Sequence, residues 1–207
     1  VMRSGVILAG GYATRFGDGD KAVADLAGEP LIRRVADRLQ DVVDELVVNC
    51  RAEQRDRLDA ALAGVESPVR YAEDPEPDQG PMAGIMTGLR EARGEYAAVV
   101  ACDMPFVDSS FLDYLFERAS GHDAAVPQVE DEWFQTTQAV YRTEPMADAC
   151  EQALADDEHK IIAPLFRLDY VVVDAAEIRE HAADDTFRNV NTREELADAA
   201  ATIRDDE

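Results

Sequence analysis

The stretch SGVILAGGYATRFGDGDK, residues 4–21, decides how the rest of the chain reads. It opens on an uncharged run of strand length, SGVILA, and breaks directly into a loop holding Gly10, Gly11, Gly17 and Gly19. A buried strand that ends in a glycine-rich loop is the usual start of a βαβ unit, and the next segment completes one. From Pro30 to Val42 the apolar residues Leu31, Ile32, Val35 and Leu39 recur at helical spacing, with Pro30 suited to the first turn.

The alternation continues outward from this unit. It predicts strands at 45–50, 68–72, 96–102, 123–127, 135–141 and 169–174, and helices at about 52–62, 82–92, 109–119 and 144–155. The sequence closes on a short FRNVN strand and a helix over 192–203, for which Thr192 and Glu195 form a capping box. The uncharged run YAAVVAC, 96–102, reads as a central strand. No repeat or linker interrupts the pattern, so one α/β domain over 1–207 with a mostly parallel sheet is expected.

Composition narrows the partners. In 207 residues, 46% of them hydrophobic, 44 acidic side chains stand against 20 basic ones, for a formal charge of −24. Such a surface repels nucleic-acid phosphates and anionic membranes, so neither is an expected partner. The carboxylates are spread through periodic sequence, which fits a solvated surface adapted to high salt better than a disordered tail. The odd set Cys50, Cys102 and Cys150 has no metal-ligand or disulfide spacing, which predicts small core thiols in a reducing compartment. No apolar run reaches membrane-spanning length and no signal-peptide pattern is present, so a soluble, cytoplasmic protein is expected. His122, His159 and His181 share no ligand spacing and read as solvated surface.

In open α/β sheets ligands bind beyond the carboxyl ends of the strands, and this is where the chemically useful residues stand. The first loop carries converging backbone amides together with Arg15 and Lys21, a phosphate-binding chemistry. It is neither a Walker A loop nor a Rossmann fingerprint. Lys21 and Lys160 are the only lysines in the chain, which makes retention of Lys21 in this loop informative. Asp103 closes the 96–102 strand, where a buried-strand carboxylate is costly unless it binds something and suits a hard cation such as Mg²⁺, the alternative being a turn or cap residue. Asn49 and Asp74 follow two other strands and have the same two readings, ligand or turn. Gly80, Pro81 and Gly84, in GPMAG, either rim a nucleotide base or begin the next helix. Asn189 and Asn191 lie two apart near a helix cap. Ser109 and Ser110 lack the context of a hydrolase nucleophile, and Trp133 and Phe134 could line a pocket or anchor hydrophobically.

Taken together, LAGG-x-x-x-R-x-G-x-x-D-K, an Asn after the second strand, DPEPDQGPMAGI, CDMPF and FRNVNTREEL resemble the molybdenum cofactor guanylyltransferase family, often called MobA. The first motif alone points only to the wider nucleotidyltransferase superfamily. Asp20-Lys21 followed by Gly28-Glu29-Pro30, with GPMAGI, CDMP and Asn-Val-Asn, carries the specific part. The chain departs from the family at Arg193, where proline is usual, and in the acidic segment 130–135.

The resemblance implies a Rossmann-like three-layer α/β/α sandwich of the nucleotide-diphospho-sugar transferase type. It implies transfer of GMP from GTP to the phosphate of molybdopterin, with release of pyrophosphate and with Mg²⁺ as cofactor. Leu8, Ala9, Gly10 and Gly11 would hold the nucleotide with Asn49, Asp74, Gly80, Pro81 and Gly84, while Arg15 and Lys21 would act on its phosphates. Asp103 would ligate the metal, Asn189 and Asn191 would face the acceptor, and transient contact with Mo-cofactor carrier proteins fits the same pathway. Related enzymes of this architecture, such as cobinamide-phosphate guanylyltransferases, molybdopterin cytidylyltransferases and sugar-1-phosphate nucleotidyltransferases, share the first motif, and a non-catalytic nucleotide-binding module would share it too.

Overall fold

A computed structural model describes residues 1–11, 16, 19–76, 79–129 and 133–206. Strand β1 (Arg3–Leu8) lies at the middle of the sheet, parallel to β4 (Glu45–Cys50) on one side and to β6 (Tyr96–Ala101) on the other. The chain first winds outward from β1 through helix α1 (Leu31–Gln40), β4 and helix α2 (Arg55–Ala61) to β5 (Val69–Glu73). It then returns through helix α3 (Pro81–Glu91) to place β6 on the opposite side of β1. That reversal leaves a crevice at the carboxyl ends of β1 and β6.

Beyond β6 the order continues with β9 (Gln138–Arg142), β7 (Ala124–Val129) and β10 (Tyr170–Val173). Here β9 runs antiparallel to both β6 and β7, whereas β10 is parallel to β7. A two-residue strand β8 (Trp133–Phe134) pairs with β7. The sheet is therefore mixed but mostly parallel, with eight strands among the described residues.

Both faces are covered, which explains why the central strands read as unbroken apolar runs. On one face α1, α2 and helix α4 (Ser109–Ala119) bury Ile32, Val35, Leu39, Leu58, Phe111 and Leu115 against Ile7 and Val48. On the other, α3 and helix α5 (Thr143–Ala155) bury Met82, Ile85, Leu89 and Met146 against Val6, Val47 and Tyr141. Each large side chain taken fully from water contributes roughly 1.5–3 kcal/mol, so this double layer is the main source of stability. A Cβ on Gly88 would come 2.5 Å from Val6 Cγ1, which is why α3 can press closely on the sheet.

The glycine-rich loop is tied into a third, smaller cluster. A hairpin of β2 (Asp25–Leu26) and β3 (Glu29–Pro30) turns at Ala27 and Gly28, both with positive φ, as a two-residue turn of this hand requires. Leu26 and Leu31 then pack with Phe16, Val190, Ala199 and Ala200, which seats the terminal helix α7 (Arg193–Asp206) beside that loop.

Three expectations need correction. FRNVN is not a strand: the segment makes a single backbone bond to the site region, Val190 N–H to the Asp103 carbonyl at 2.8 Å, and no ladder follows. The expected 52–62 helix is split into a 3-10 turn, Ala52–Gln54, and α2. His181 is not free in solvent but stacks on Tyr114 at 3.8 Å, within a helix α6 (Ala175–His181) that the periodicity did not disclose. The capping box of α7 forms as expected, with Glu195 N–H donating to Thr192 Oγ1 and Thr192 N–H to Glu195 Oε2. All three cysteines are free and buried. No helix among the described residues is long and apolar enough to cross a membrane.

Candidate nucleotide site

The crevice at the carboxyl ends of β1, β4, β5 and β6 is a cleft of about 370 Å³. Leu8, Ala9, Gly10 and Gly11 enter it from β1, and Asn49 and Asp74 from the ends of β4 and β5. Gly80, Pro81 and Gly84 form the start of α3, Asp103 stands beyond β6, and Lys21 reaches in from the far side of the loop. All these residues, singled out from scattered positions in the sequence, line one cavity. Asp20, Ala22, Gln79, Ala83, Ala101, Cys102 and Thr137 complete the wall. Arg15 lies outside the described residues.

At one end the charges meet. Lys21 Nζ donates to Asp103 Oδ2 at 2.8 Å and to Asn191 Oδ1 at 3.1 Å, and the ammonium and carboxylate side chains are only 15% and 17% exposed. The Val190 bond to the Asp103 carbonyl brings Asn191 into reach. Asn189, two residues earlier, is exposed and is not among the lining residues. The second carboxylate oxygen of Asp103 is buried and has no hydrogen-bond partner among the described residues. A buried oxygen without a donor is costly unless something binds it, so the position suits a cation. No group of three His, Cys, Asp or Glu side chains capable of holding a metal is found among the described residues. The carboxylate oxygen of Asp103 left without a partner among the described residues is a ligand atom that fits a hard cation.

At the other end the wall is polar but cramped. Asn49, 2% exposed, donates through Nδ2 to Asp74 Oδ1 at 2.7 Å and to the Ala72 carbonyl at 3.3 Å. Its carboxamide fits because two glycines flank it. A Cβ on Gly84 would stand 2.5 Å from Asn49 Oδ1, and one on Gly10 would collide with Asp74 Oδ2. Burial pushes the Asp74 carboxyl above its ordinary range, although the Asn49 hydrogen bond pulls it down. Helix α3 begins here, with Gly80 at φ 81 and Pro81 in its first turn, so its amide-rich end faces the cleft. Burial likewise pushes the Cys102 thiol up to about 12, leaving it uncharged beside Asp103.

The loop is braced by Arg51 and Gln54, which the sequence did not single out, and by Asp20 and Arg193, whose bracing role it did not disclose. Arg51 Nη1 donates to the Gly10 and Gly11 carbonyls at 2.7 and 3.1 Å, fixing the loop backbone from outside. Asp20 accepts from Ala22 N–H at 3.1 Å and so caps the 3-10 turn Lys21–Val23 that presents the lysine. Gln54, 1% exposed, donates to Asp20 Oδ2 and to the Ala9 carbonyl. Arg193 donates through Nε to the Phe16 carbonyl at 3.1 Å and covers the Phe16 ring, so the residue that replaces the usual proline is a clamp on the loop. Asp20 was legible as the Asp of the Asp-Lys pair that closes the motif, though not as a cap, and Gln54 gave no signal.

Comparison with known proteins agrees with this geometry. The model of the MobA-like NTP transferase domain matches residues 5–170. A "probable molybdenum cofactor guanylyltransferase" of Natronomonas pharaonis is 57% identical over 194 residues, which are 94% of this chain and 95% of the relative. A protein of the same description from Haloferax mediterranei is 41% identical, covering 94% of this chain and 91% of the relative. Both relatives are haloarchaeal, in keeping with the acidic composition. Among solved structures, molybdopterin-guanine dinucleotide biosynthesis protein A from Archaeoglobus fulgidus superposes with a TM-score of 0.78 at 27% identity, covering 98% of this chain and 99% of that one. By family match, by relatives that span nearly its full length, and by the residues gathered in its cleft, this chain belongs to the MobA-like NTP transferase family.

Proposed function

We propose that the protein is a Mg²⁺-dependent molybdenum cofactor guanylyltransferase, which transfers GMP from GTP to the terminal phosphate of molybdopterin. The observation that carries the reading is the meeting of Lys21 and Asp103 in a strand-end cleft, beside a glycine loop and a helix start. Relatives described as guanylyltransferases support the choice of base and acceptor.

In this reaction a phosphate oxygen of the acceptor attacks the α-phosphorus of GTP, and the bond from that phosphorus to the bridging α–β oxygen breaks. The bonding pair leaves with pyrophosphate, so the step is a substitution without change of oxidation state. Little covalent chemistry falls to the protein, whose work is positioning and charge stabilisation. Lys21 and the amides of the Gly10–Gly11 loop hold the β- and γ-phosphates and stabilise charge on the leaving pyrophosphate. The amide-rich start of α3, with Asn49 and Asp74, holds the nucleoside end. Asn191 keeps Lys21 aimed into the cleft and, with Asn189 two residues earlier in the chain, marks the acceptor side. Mg²⁺, when bound to Asp103, would supply neutralisation of phosphate charge.

The test is pyrophosphate release from GTP on addition of molybdopterin, with CTP and ATP as base controls, and with cobinamide phosphate and a sugar 1-phosphate as acceptor controls. The reading expects GTP, molybdopterin and Mg²⁺ to be required together. Turnover with CTP in preference to GTP, or with another acceptor in place of molybdopterin, would replace it with one of the related transferases. Saturable GTP binding without any pyrophosphate release would make the chain a binding module.

A further inference from the structure

The two stems of the glycine loop are joined by a side chain that lies outside the loop. Strand β1 enters the loop at Ala9, and the chain leaves it at Asp20, just before Lys21. Gln54 bridges these points: Nε2 donates to the Ala9 carbonyl at 3.0 Å and to Asp20 Oδ2 at 2.8 Å. Its carbonyl oxygen accepts Arg51 N–H at 2.9 Å, which fixes the carboxamide in one orientation. At 1% exposure it makes these bonds out of reach of competing water. The other oxygen of Asp20 accepts Ala22 N–H and caps the turn whose first residue is Lys21.

We propose that Gln54 is a positioning residue for nucleotidyl transfer, acting through Asp20 to hold Lys21 at the distance from β1 at which its ammonium meets both Asp103 and the phosphates. This rests on the function proposed above. Gln54 is not among the residues lining the cleft; its effect runs through the position of Lys21. Its carbonyl oxygen also caps the 3-10 turn Ala52–Gln54 through Arg51 N–H, a local structural role that a test of positioning has to separate from the bridge to Asp20.

A kinetic double-mutant cycle separates positioning from packing. The four proteins are the parent, Gln54→Met, Lys21→Ala and the double variant, each assayed for kcat/KM with GTP and molybdopterin, with GTP·Mg affinity measured calorimetrically in parallel. Removing a residue that orients a catalytic group typically costs about 10- to 100-fold, which is the loss expected for Gln54→Met in the parent background. In the Lys21→Ala background the same substitution should change kcat/KM by less than about 2-fold, because the group it positions is gone. An equal loss in both backgrounds would show that Gln54 only holds the fold, and no loss in the parent would remove it from the mechanism. If Gln54→Met does not fold, Asp20→Asn breaks the same bridge, since its amide would face the Gln54 amide while its oxygen still caps Ala22. If the parent releases no pyrophosphate, the transferase reading fails, and the cycle read as GTP affinity still decides the role of Gln54.

Discussion

Lys21→Ala in the nucleotide-free protein separates the structural from the catalytic charge of the site. The ammonium lies 2.8 Å from Asp103 Oδ2, in a setting where both side chains are more than four-fifths buried. The other oxygen of that carboxylate already lacks a partner among the described residues. Removing one member of a fully buried ion pair costs about 3–5 kcal/mol, and the residual exposure here lowers that to roughly 2–3 kcal/mol. In a chain of this length each 1 kcal/mol moves Tm by about 2–4 °C, so a fall of roughly 4–12 °C is expected. The stranded carboxylate should then accept a divalent ion that Lys21 otherwise keeps out. At a hundredfold excess over its Kd, an ion that binds only the folded state returns about 2.7 kcal/mol, which is nearly the whole loss. Calorimetry in 1 M KCl, with MgCl₂ titrated until the shift saturates, should therefore show Mg²⁺ stabilising Lys21→Ala more than the parent. Adding Asp103→Asn to Lys21→Ala removes the unpaired charge, and should recover stability while abolishing the Mg²⁺ response. An unchanged Tm for Lys21→Ala, or equal Mg²⁺ shifts in variant and parent, would refute the assignment of Asp103 as the cation ligand that Lys21 guards.

The other predictions follow from charge and packing elsewhere. Tm should rise between about 0.1 and 1 M KCl, because the Debye length falls from about 10 to 3 Å over that range and screens the net charge of −24; a fall would defeat the high-salt reading. Gly84→Ala should destabilise by about 1–3 kcal/mol, since its methyl would meet Asn49 Oδ1, and Asn49→Ala in the same chain should restore denaturant stability without restoring GTP affinity. Because burial raises the Asp74 pKa, the contribution of that carboxyl is full below its unfolded pKa, about 4, and is lost as pH rises through the folded value. Asp74→Asn should accordingly gain Tm over the parent as pH climbs toward neutrality while losing GTP affinity, and a gain confined to acid pH would contradict this. Burial pushes the Cys50 thiol up to about 11 and those of Cys102 and Cys150 to about 12, so a thiol reagent should label none of the three at pH 8 until denaturant is added.

What could be read from the sequence, and what could not, divides along a physical line. Strand β4 and helix α4 begin and end where their residues said they would, because ELVVNC is buried on both faces and Asp108 caps Ser110 and Phe111 through its side chain. In each case the signal lies within the element itself. The residues lining the cleft were legible for a related reason: parallel strands deliver their carboxyl ends to one edge, so Leu8, Asn49, Asp74 and Asp103 had to converge once the βαβ alternation was recognised. FRNVN failed as a strand because alternation is only a local property. Its hydrogen bonding is set by what lies opposite, and here the Asp103 carbonyl offers one bond and no neighbouring strand. The hairpin at Ala27-Gly28 has strands too short to show any period at all.

The least legible residues are those that hold the site in place. Gln54 sits in RAEQRD, where charge density suggests a solvated helix face, yet it is buried because the chain tightens into a 3-10 turn against the glycine loop. Arg193 reads as a departure from the family pattern until its guanidinium is seen on Phe16. Both act across the gap between segments far apart in sequence, and no spacing rule within one segment could reveal them. A glycine-rich loop needs such braces more than a stiffer loop does, because each glycine adds backbone freedom that must be removed before an ammonium can be held to a fraction of an ångström. The residues proposed to supply chemistry lie in the motif, while the contacts that brace the loop come from Arg51, Gln54 and Arg193, and substitutions at these three positions should alter turnover more than their distance from the cleft suggests.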